Sequence, residues 1–395
     1  MNSTPSANRL HIGFFGRRNA GKSSVVNAVT NQDMSVVSDV LGTTTDPVTK
    51  AMELLPIGPV LIIDTPGFDD NGEIGGLRVG KTKQVLNKTD VAILVVDSTE
   101  GMGDSDNELI ELFKAKNINY LVVYNKCDLL SVKDMRRLAE EDNAVLVSAK
   151  DKKNIDQLKE KITLIAGNRD ERPLVSDLVD SGDVVILVVP IDSAAPKGRL
   201  ILPQQQVIRD LLDAGAVPMV VKENGLASAM DRLNVKPHMV ITDSQVFNIV
   251  KNIVPDDISL TSFSILMARY KGFLNTAVAG VRSLDTLESG DKILICEGCT
   301  HHRQCEDIGT VKLPAWLQEY TGKHLQFSYT SGTEFPEDLT EYRLIVHCGG
   351  CMLNEKEVLY RMKCAVDSGI PFTNYGTVIA FMQGILDRAV KPVMI

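Results

Sequence analysis

The chain has 395 residues and a net charge of −9, from 42 Lys and Arg against 51 Asp and Glu. That length is enough for two or three domains with cores of their own, and an acidic balance with no Lys/Arg-rich tail argues against nucleic acid as a partner, since nucleic acid needs clustered cations. Apolar runs of about 4–8 residues fall well short of the ~20 that span a bilayer, and no charged-then-apolar secretion signal opens the chain; the expectation is a cytoplasmic protein with no membrane partner.

In chain order, Leu10–Phe15 is an apolar run that predicts a strand, and residues 22–29 carry a helical pattern. Between them lies Gly16-Arg17-Arg18-Asn19-Ala20-Gly21-Lys22-Ser23, a G-x-x-x-x-G-K-S phosphate loop in the strand–loop–helix context it requires. Gly16 and Gly21 let the loop turn its N–H groups inward, and the helix N-terminus adds positive potential. Lys22 bridges β- and γ-phosphates and the Ser23 hydroxyl ligates Mg²⁺; Ala20 and Ser24 complete the expected contacts. Residues 38–47 are hydrophilic and without period, a mobile loop containing Gly42-Thr43-Thr44-Thr45-Asp46. Thr44 is the expected second hydroxyl on Mg²⁺, in a loop that orders with the triphosphate and releases on hydrolysis.

The next strand, residues 60–63, ends at Asp64-Thr65-Pro66-Gly67. Asp64 would hold the magnesium through its water shell, and the Gly67 N–H would approach the γ-phosphate. Residues 121–124 predict a strand leading into Asn125-Lys126-Cys127-Asp128, and Ser148-Ala149-Lys150 follows the run 144–147. The Asp128 carboxylate can accept from guanine N1–H and the exocyclic amine, a pair adenine does not present, and a buried acceptor left unpaired costs about 1–3 kcal/mol or more. Ser148, Ala149 and Lys150 close over the base. Five segments in this order, each meeting a different part of one ligand, imply a Mg²⁺-dependent GTPase with GTP and GDP as ligands and Lys22, Thr44, Asp64 and Gly67 as its catalytic set. Phe68 stands where many small GTPases place a water-orienting Gln, so turnover should be slow or need another charge. Asn19 resembles the loop asparagine of potassium-activated GTPases, which implies K⁺ against the phosphates.

Residues 154–166 form a helical pattern that Gly167 ends, and 168–173 is a charged linker closed by Pro173. Apolar runs at 184–189, Val217–Val221 and 239–242 then alternate with helical patterns at 204–212, 227–233 and 245–253, a small βαβα unit with a parallel sheet. It carries no catalytic constellation; His238 is a lone histidine at a strand start. Near Ser259 a third unit begins, with a helix over 266–281, strands at 292–295 and 343–346, and a helix over 356–368.

Six of the seven cysteines fall in the last hundred residues. Cys296, Cys299, His301, His302 and Cys305 follow one strand, and His347, Cys348 and Cys351 follow the other. If the strands are parallel, both loops share the carboxyl edge of the sheet, where α/β ligand sites lie. The spacing leaves open a closed four-thiolate zinc site, from Cys296-x-x-Cys299 and Cys348-x-x-Cys351, and an iron–sulfur cluster held by Cys299, Cys348 and Cys351.

Cys299-Thr300-His301, a gap of forty-five residues, and His347-Cys348-Gly349-Gly350-Cys351 resemble the cluster motif of the HydF family, the maturation GTPases of FeFe hydrogenase. The phosphate-loop Asn and the small middle domain match as well. The resemblance implies an α/β chain of three domains: a P-loop GTPase over 1–168, a dimerisation domain over 174–258 and a 4Fe-4S cluster domain over 259–395. It implies Cys299, Cys348 and Cys351 as thiolate ligands, with His301 and His347 as motif candidates and one iron left with an exchangeable position. The cargo implied is a precursor of the hydrogenase two-iron subcluster. The partners implied are apo FeFe-hydrogenase, two radical-SAM maturases and a second copy of the chain. A potassium-dependent ribosome- or tRNA-associated GTPase with a structural zinc domain is the alternative reading.

Overall fold

The computed structural model describes residues 4–31, 47–66, 82, 84–139, 141, 143–167, 172–190, 200–298 and 308–394. Its contacts divide the chain into two compact units, Met1–Asp170 and Glu171–Ile395.

In the first unit, β1 (Leu10–Phe15) is buried along its whole length. The remaining described strands are β2 (Val48–Leu54), β3 (Gly58–Asp64), β4 (Val91–Asp97), β5 (Asn119–Asn125) and β6 (Ala144–Leu146). They form a sheet of order β2-β3-β1-β4-β5-β6, parallel except at the β2–β3 pair. Side chains alternate across a strand, and β4 shows the consequence. Val91, Ile93 and Val95 join the core on one face, with Val25 and Leu158 from helices Lys22–Thr30 and Ile155–Ala166. Ala92, Leu94 and Val96 join the other, with Leu109 and Phe113 from helix Asp104–Ala115. Strands covered on both faces read as continuous apolar runs, which is why the sequence displays them so plainly.

The second unit holds β7 (Val184–Val188), β8 (Val217–Val221), β9 (Met239–Thr242) and β10 (Ser259–Ser262), then β11 (Lys292–Glu297), β12 (Gln326–Ser331), β13 (Leu344–His347) and β14 (Phe372–Asn374). The two sheets run β10-β9-β7-β8 and β12-β11-β13-β14. Numbered along the chain, both have the spatial order 2-1-3-4 and all pairs parallel, so one doubly wound topology occurs twice in succession. The helices after the last strand of each, Phe263–Tyr270 and Tyr375–Met382, meet: Asn374 Nδ2 donates to the Ser264 carbonyl at 2.9 Å, and the Gly376 N–H to Ser264 Oγ at 3.2 Å.

The first of these two sheets continues through β10, one strand beyond the 258/259 division read from sequence. Its Ser-Leu-Thr-Ser composition gives no apolar run to read. The helix expected over 266–281 is two helices, Phe263–Tyr270 and Leu274–Val281, interrupted where Gly272 takes the left-handed φ of +77° that glycine adopts without strain. No helix among the described residues is long and apolar enough to cross a membrane.

Candidate functional site: a nucleotide cleft and a cysteine-bearing sheet edge

Parallel pairing of β1 with β3 sets Phe14 opposite Asp64, which brings the end of β3 alongside the start of the phosphate loop. Ser23 Oγ donates to Asp64 Oδ2 at 2.6 Å. The other oxygen, Asp64 Oδ1, is buried with no hydrogen-bond partner among the described groups. Burial raises the Asp64 pKa above its ordinary value, against opposing pulls from Ser23 and Lys22. A hydroxyl and a part-satisfied buried carboxylate facing one another are a donor set that fits Mg²⁺ and its water shell. Lys22 is itself buried, its Nζ donating to the carbonyls of Gly16 at 3.0 Å and Arg17 at 2.8 Å.

Asn125 ties the phosphate end to the base end. Its Nδ2 donates to the Ala20 carbonyl at 3.1 Å and its Oδ1 accepts the Ala149 N–H at 3.1 Å. Lys126 reaches Asp97 Oδ2 at 2.5 Å. Gly21, Ser24, Asn125, Lys126, Asp128, Ala149 and Lys150 all line one cavity of about 650 Å³, within the size range of small-molecule sites. Sequence reasoning missed Asn27, Asn31, Leu129 and Lys152 on the same wall, because helix-face and turn positions outside a motif carry no signature. Ser148 is fully buried behind that wall, its Oγ accepting the Asp151 N–H at 3.2 Å. Asn19 sits at the loop tip with a left-handed φ of +63°. Thr44, Gly67 and Phe68 lie outside the described residues.

At the second candidate site β11 and β13 are parallel neighbours, with Cys296 opposite His347. Both cysteine-bearing loops therefore leave the same edge of one sheet. Cys348 Sγ accepts the N–H of Gly298 at 3.0 Å and of Gly350 at 3.3 Å. Burial raises its thiol pKa, while those two amides pull the other way. Amide donors aimed at a sulfur suit a thiolate that ligates metal, so Cys348 fits the cluster assignment. Cys351 is half-buried on the same loop. Cys296 differs: it is fully buried in β11, and burial pushes its thiol up to about 12, the environment of an inert core thiol.

His347 is fully buried between Phe273 and Phe372. Its Nδ1 lies 2.7 Å from the Cys348 carbonyl and its Nε2 faces Arg361 Nη1 at 3.4 Å. Burial, with the Arg361 charge, lowers its pKa to about 3. The neutral ring with Nδ1–H donating uses both nitrogens, so His347 braces the Cys348 loop from behind and does not face it as a ligand. Arg361 is anchored in turn by Glu357 Oε1 at 3.0 Å and the Gly332 carbonyl at 2.7 Å. Cys299, His301, His302 and Cys305 lie outside the described residues, and among the described ones no three metal-type side chains converge.

Residues 174–272 match a family model described as the hydrogen maturase F dimerization domain, and residues 275–392 one described as its tetramerization domain. The chain belongs to the hydrogen maturase F family. Residues 11–126 match a model described as a 50S ribosome-binding GTPase, so the architecture is three domains, with a P-loop GTPase domain first. That domain is similar to GTPase Der of Wolinella succinogenes, 36% identical over 175 residues covering 41% of this chain and 37% of that one. It is also similar to the tRNA modification GTPase MnmE of Desulforamulus reducens, 32% identical over 152 residues covering 37% and 32%. The chain thus spans about a third of the length of the curated relatives it matches. The tetramerization description falls on the part read from sequence as a cluster domain; self-association left no motif there.

Proposed function

We propose that the chain is a GTP-hydrolysing scaffold that carries a precursor of the FeFe-hydrogenase two-iron subcluster and transfers it to the apo-enzyme. The observation that carries this reading is that β11 and β13 end side by side at one sheet edge, with Cys348 and Cys351 directly after β13, in a chain of this family. Membership of the family favours it over the ribosome- or tRNA-associated GTPase with a zinc domain, because both domains after the GTPase match hydrogen maturase F.

In the nucleotide cleft, Asn125 and Asp128 select guanine, Lys22 exchanges its two carbonyl partners for phosphate oxygens, and Ser23, Asp64 and Thr44 would hold Mg²⁺, whose charge would offset that developing on the phosphates. Asn19 adds a K⁺ site at the loop tip. At the sheet edge, Cys299, Cys348 and Cys351 would hold a 4Fe-4S cluster, and three thiolates for four irons would leave room for an exchangeable ligand, which a carrier needs in order to release its cargo. Buried Cys296 stays outside the ligand set. The remaining partners are the two radical-SAM maturases and a second copy of the chain, in the cytoplasm.

The test is iron and sulfide analysis after anaerobic purification. Unmutated protein should be brown and contain about four irons per chain, the stoichiometry of one such cluster, and Cys348→Ala or Cys351→Ala should lose them. Cys296→Ala should keep both cluster and hydrogenase activation, and all three variants should still hydrolyse GTP. A colourless protein with stoichiometric zinc would establish the alternative. Loss of iron from Cys296→Ala as complete as from Cys348→Ala would make the site a closed four-thiolate one.

A further inference from the structure

Arg17 is the second residue of the phosphate loop, and none of the motif's ligand contacts calls on its side chain. Its Nε lies 2.9 Å from Asp106 Oδ2, its Nη2 donates to the Gly101 carbonyl at 2.5 Å, and its Nη1 is 3.3 Å from Glu100 Oε2. Glu100 is exposed, but Asp106 is fully buried. The same Oδ2 accepts the Gly103 N–H at 3.0 Å, while Oδ1 has no hydrogen-bond partner among the described groups. A buried carboxylate deprived of its cation is strongly unfavourable, so Arg17 and Asp106 hold each other in a fixed geometry. A planar fork with three acceptors also fixes direction, which a point charge would not.

The position of this contact gives it a role. The loop is anchored at its start by Gly16, where a Cβ would lie 2.2 Å from the Val95 carbonyl, and at its end by the helix that begins at Lys22. The tip between them includes Asn19 in its left-handed conformation and a long 3.4 Å bond from the Ala20 N–H to the Arg17 carbonyl. Arg17 ties that tip to the segment after β4. Just before that segment, the last residue of β4, Asp97, pairs with Lys126 of the base motif, so one stretch of chain steadies both ends of the cleft.

We infer that Arg17 is a positioning residue for GTP hydrolysis: clamped by Asp106, it holds the phosphate-loop tip in the geometry that turnover requires, and it acts on kcat more than on nucleotide affinity. The inference rests on the GTPase reading. The base is held by the cavity wall, and the phosphates by the helix N-terminus and by Lys22, which bridges β and γ. Nucleotide affinity therefore has supports besides the tip, whose placement matters most when the γ-phosphate is transferred.

The experiment compares Asp106→Asn, which keeps the shape but removes the charge, with Arg17→Ala, Arg17→Lys and the Asp106→Asn/Arg17→Ala double variant. Full-length proteins are assayed for kcat at saturating GTP and for mant-GDP affinity. Misplacement by about 1 Å costs up to a hundredfold, so we expect each of Asp106→Asn and Arg17→Ala to lower kcat about tenfold, with the double variant no worse than the poorer single. Mant-GDP Kd should stay within about threefold of the unmutated value, because the contact is remote from the base wall. Arg17→Lys should recover only part of the rate. A kcat unchanged in both single variants, losses that multiply in the double, or a Kd weakened in step with kcat would overturn the inference. Absence of turnover in unmutated protein that still binds mant-GDP would instead sink the GTPase reading, and this inference with it.

Discussion

Lys22 Nζ is held by two loop carbonyls and buried with them. Its replacement would leave those acceptors, and the phosphates that succeed them, without a cation in a low-dielectric cleft. Lys22→Ala should therefore reduce hydrolysis by at least about a hundredfold, the scale on which a preorganised electrostatic donor acts. Iron content should not change. Steady-state turnover and iron analysis on one preparation decide both halves. Tyr124 offers a pH test in the same unit. Its hydroxyl donates to Glu141 Oε2 at 2.8 Å, and burial with the Glu141 charge raises its pKa well above the ordinary 10. For a group whose folded pKa is raised, stability is fully present below the unfolded pKa and is lost as pH climbs above it. The stability advantage of the unmutated protein over Tyr124→Phe should hold up to about pH 10 and then shrink. Denaturant unfolding at pH 8 and at pH 11 measures it, and an advantage that grows at pH 11 would contradict the assignment.

Between elements, the contact that makes the nucleotide cleft one site is Asn125 bridging the phosphate loop and the turn after β6. Gly21 permits it: its φ is +86°, and a Cβ there would come 2.3 Å from Asn125 Nδ2. Gly21→Ala must move Asn125 or the loop, so mant-GDP binding should weaken at least tenfold, about 1.4 kcal/mol. Fluorescence titration would show it, and an unchanged Kd would mean that Asn125 is not the bridge. The elements of this cleft were legible because each combines an apolar strand with a fixed-offset motif. What stayed illegible has a physical cause in each case. β10 is a polar four-residue strand and β14, Phe-Thr-Asn, is only three residues long, too short to show a period. The helix break at Gly272 hides in an apolar stretch, where a lone glycine reads as tolerated. The Arg17–Asp106 tether joins positions 89 apart in sequence, and no local pattern announces a contact at that range. Its place in a motif makes His347 a candidate ligand, while Arg361, which meets its Nε2 and holds the ring inward, lies fourteen positions on.

Across the whole chain, the largest consequence concerns the second unit. Its two sheets repeat one topology, yet their buried side chains form one continuous cluster, from Val185 of the first to Leu294 and Val346 of the second, with Leu174 and Val393 from outside the strands. Helix Phe263–Tyr270 contributes Ile265, Leu266 and Met267 to that shared interior. Lys271 is buried with its Nζ donating to the Leu353 carbonyl at 2.9 Å, behind the Cys351 loop. Two domains that share a core should unfold together, since neither can shed the other without exposing apolar surface at about 25 cal/mol per Å². A fragment spanning 171–395 should therefore fold and melt in one transition, while 275–395 alone should fail to fold. In the intact protein, Mg²⁺ and GDP at a hundred times Kd should stabilise the GTPase transition by about 2.7 kcal/mol. The transition of the 171–395 fragment should not move, because every described residue of the nucleotide cleft belongs to the first unit. Calorimetry of the intact chain and the two fragments, with and without nucleotide, tests this. Two resolved transitions in 171–395, or a cooperatively folded 275–395, would show that the shared core does not bind the domains into one unit.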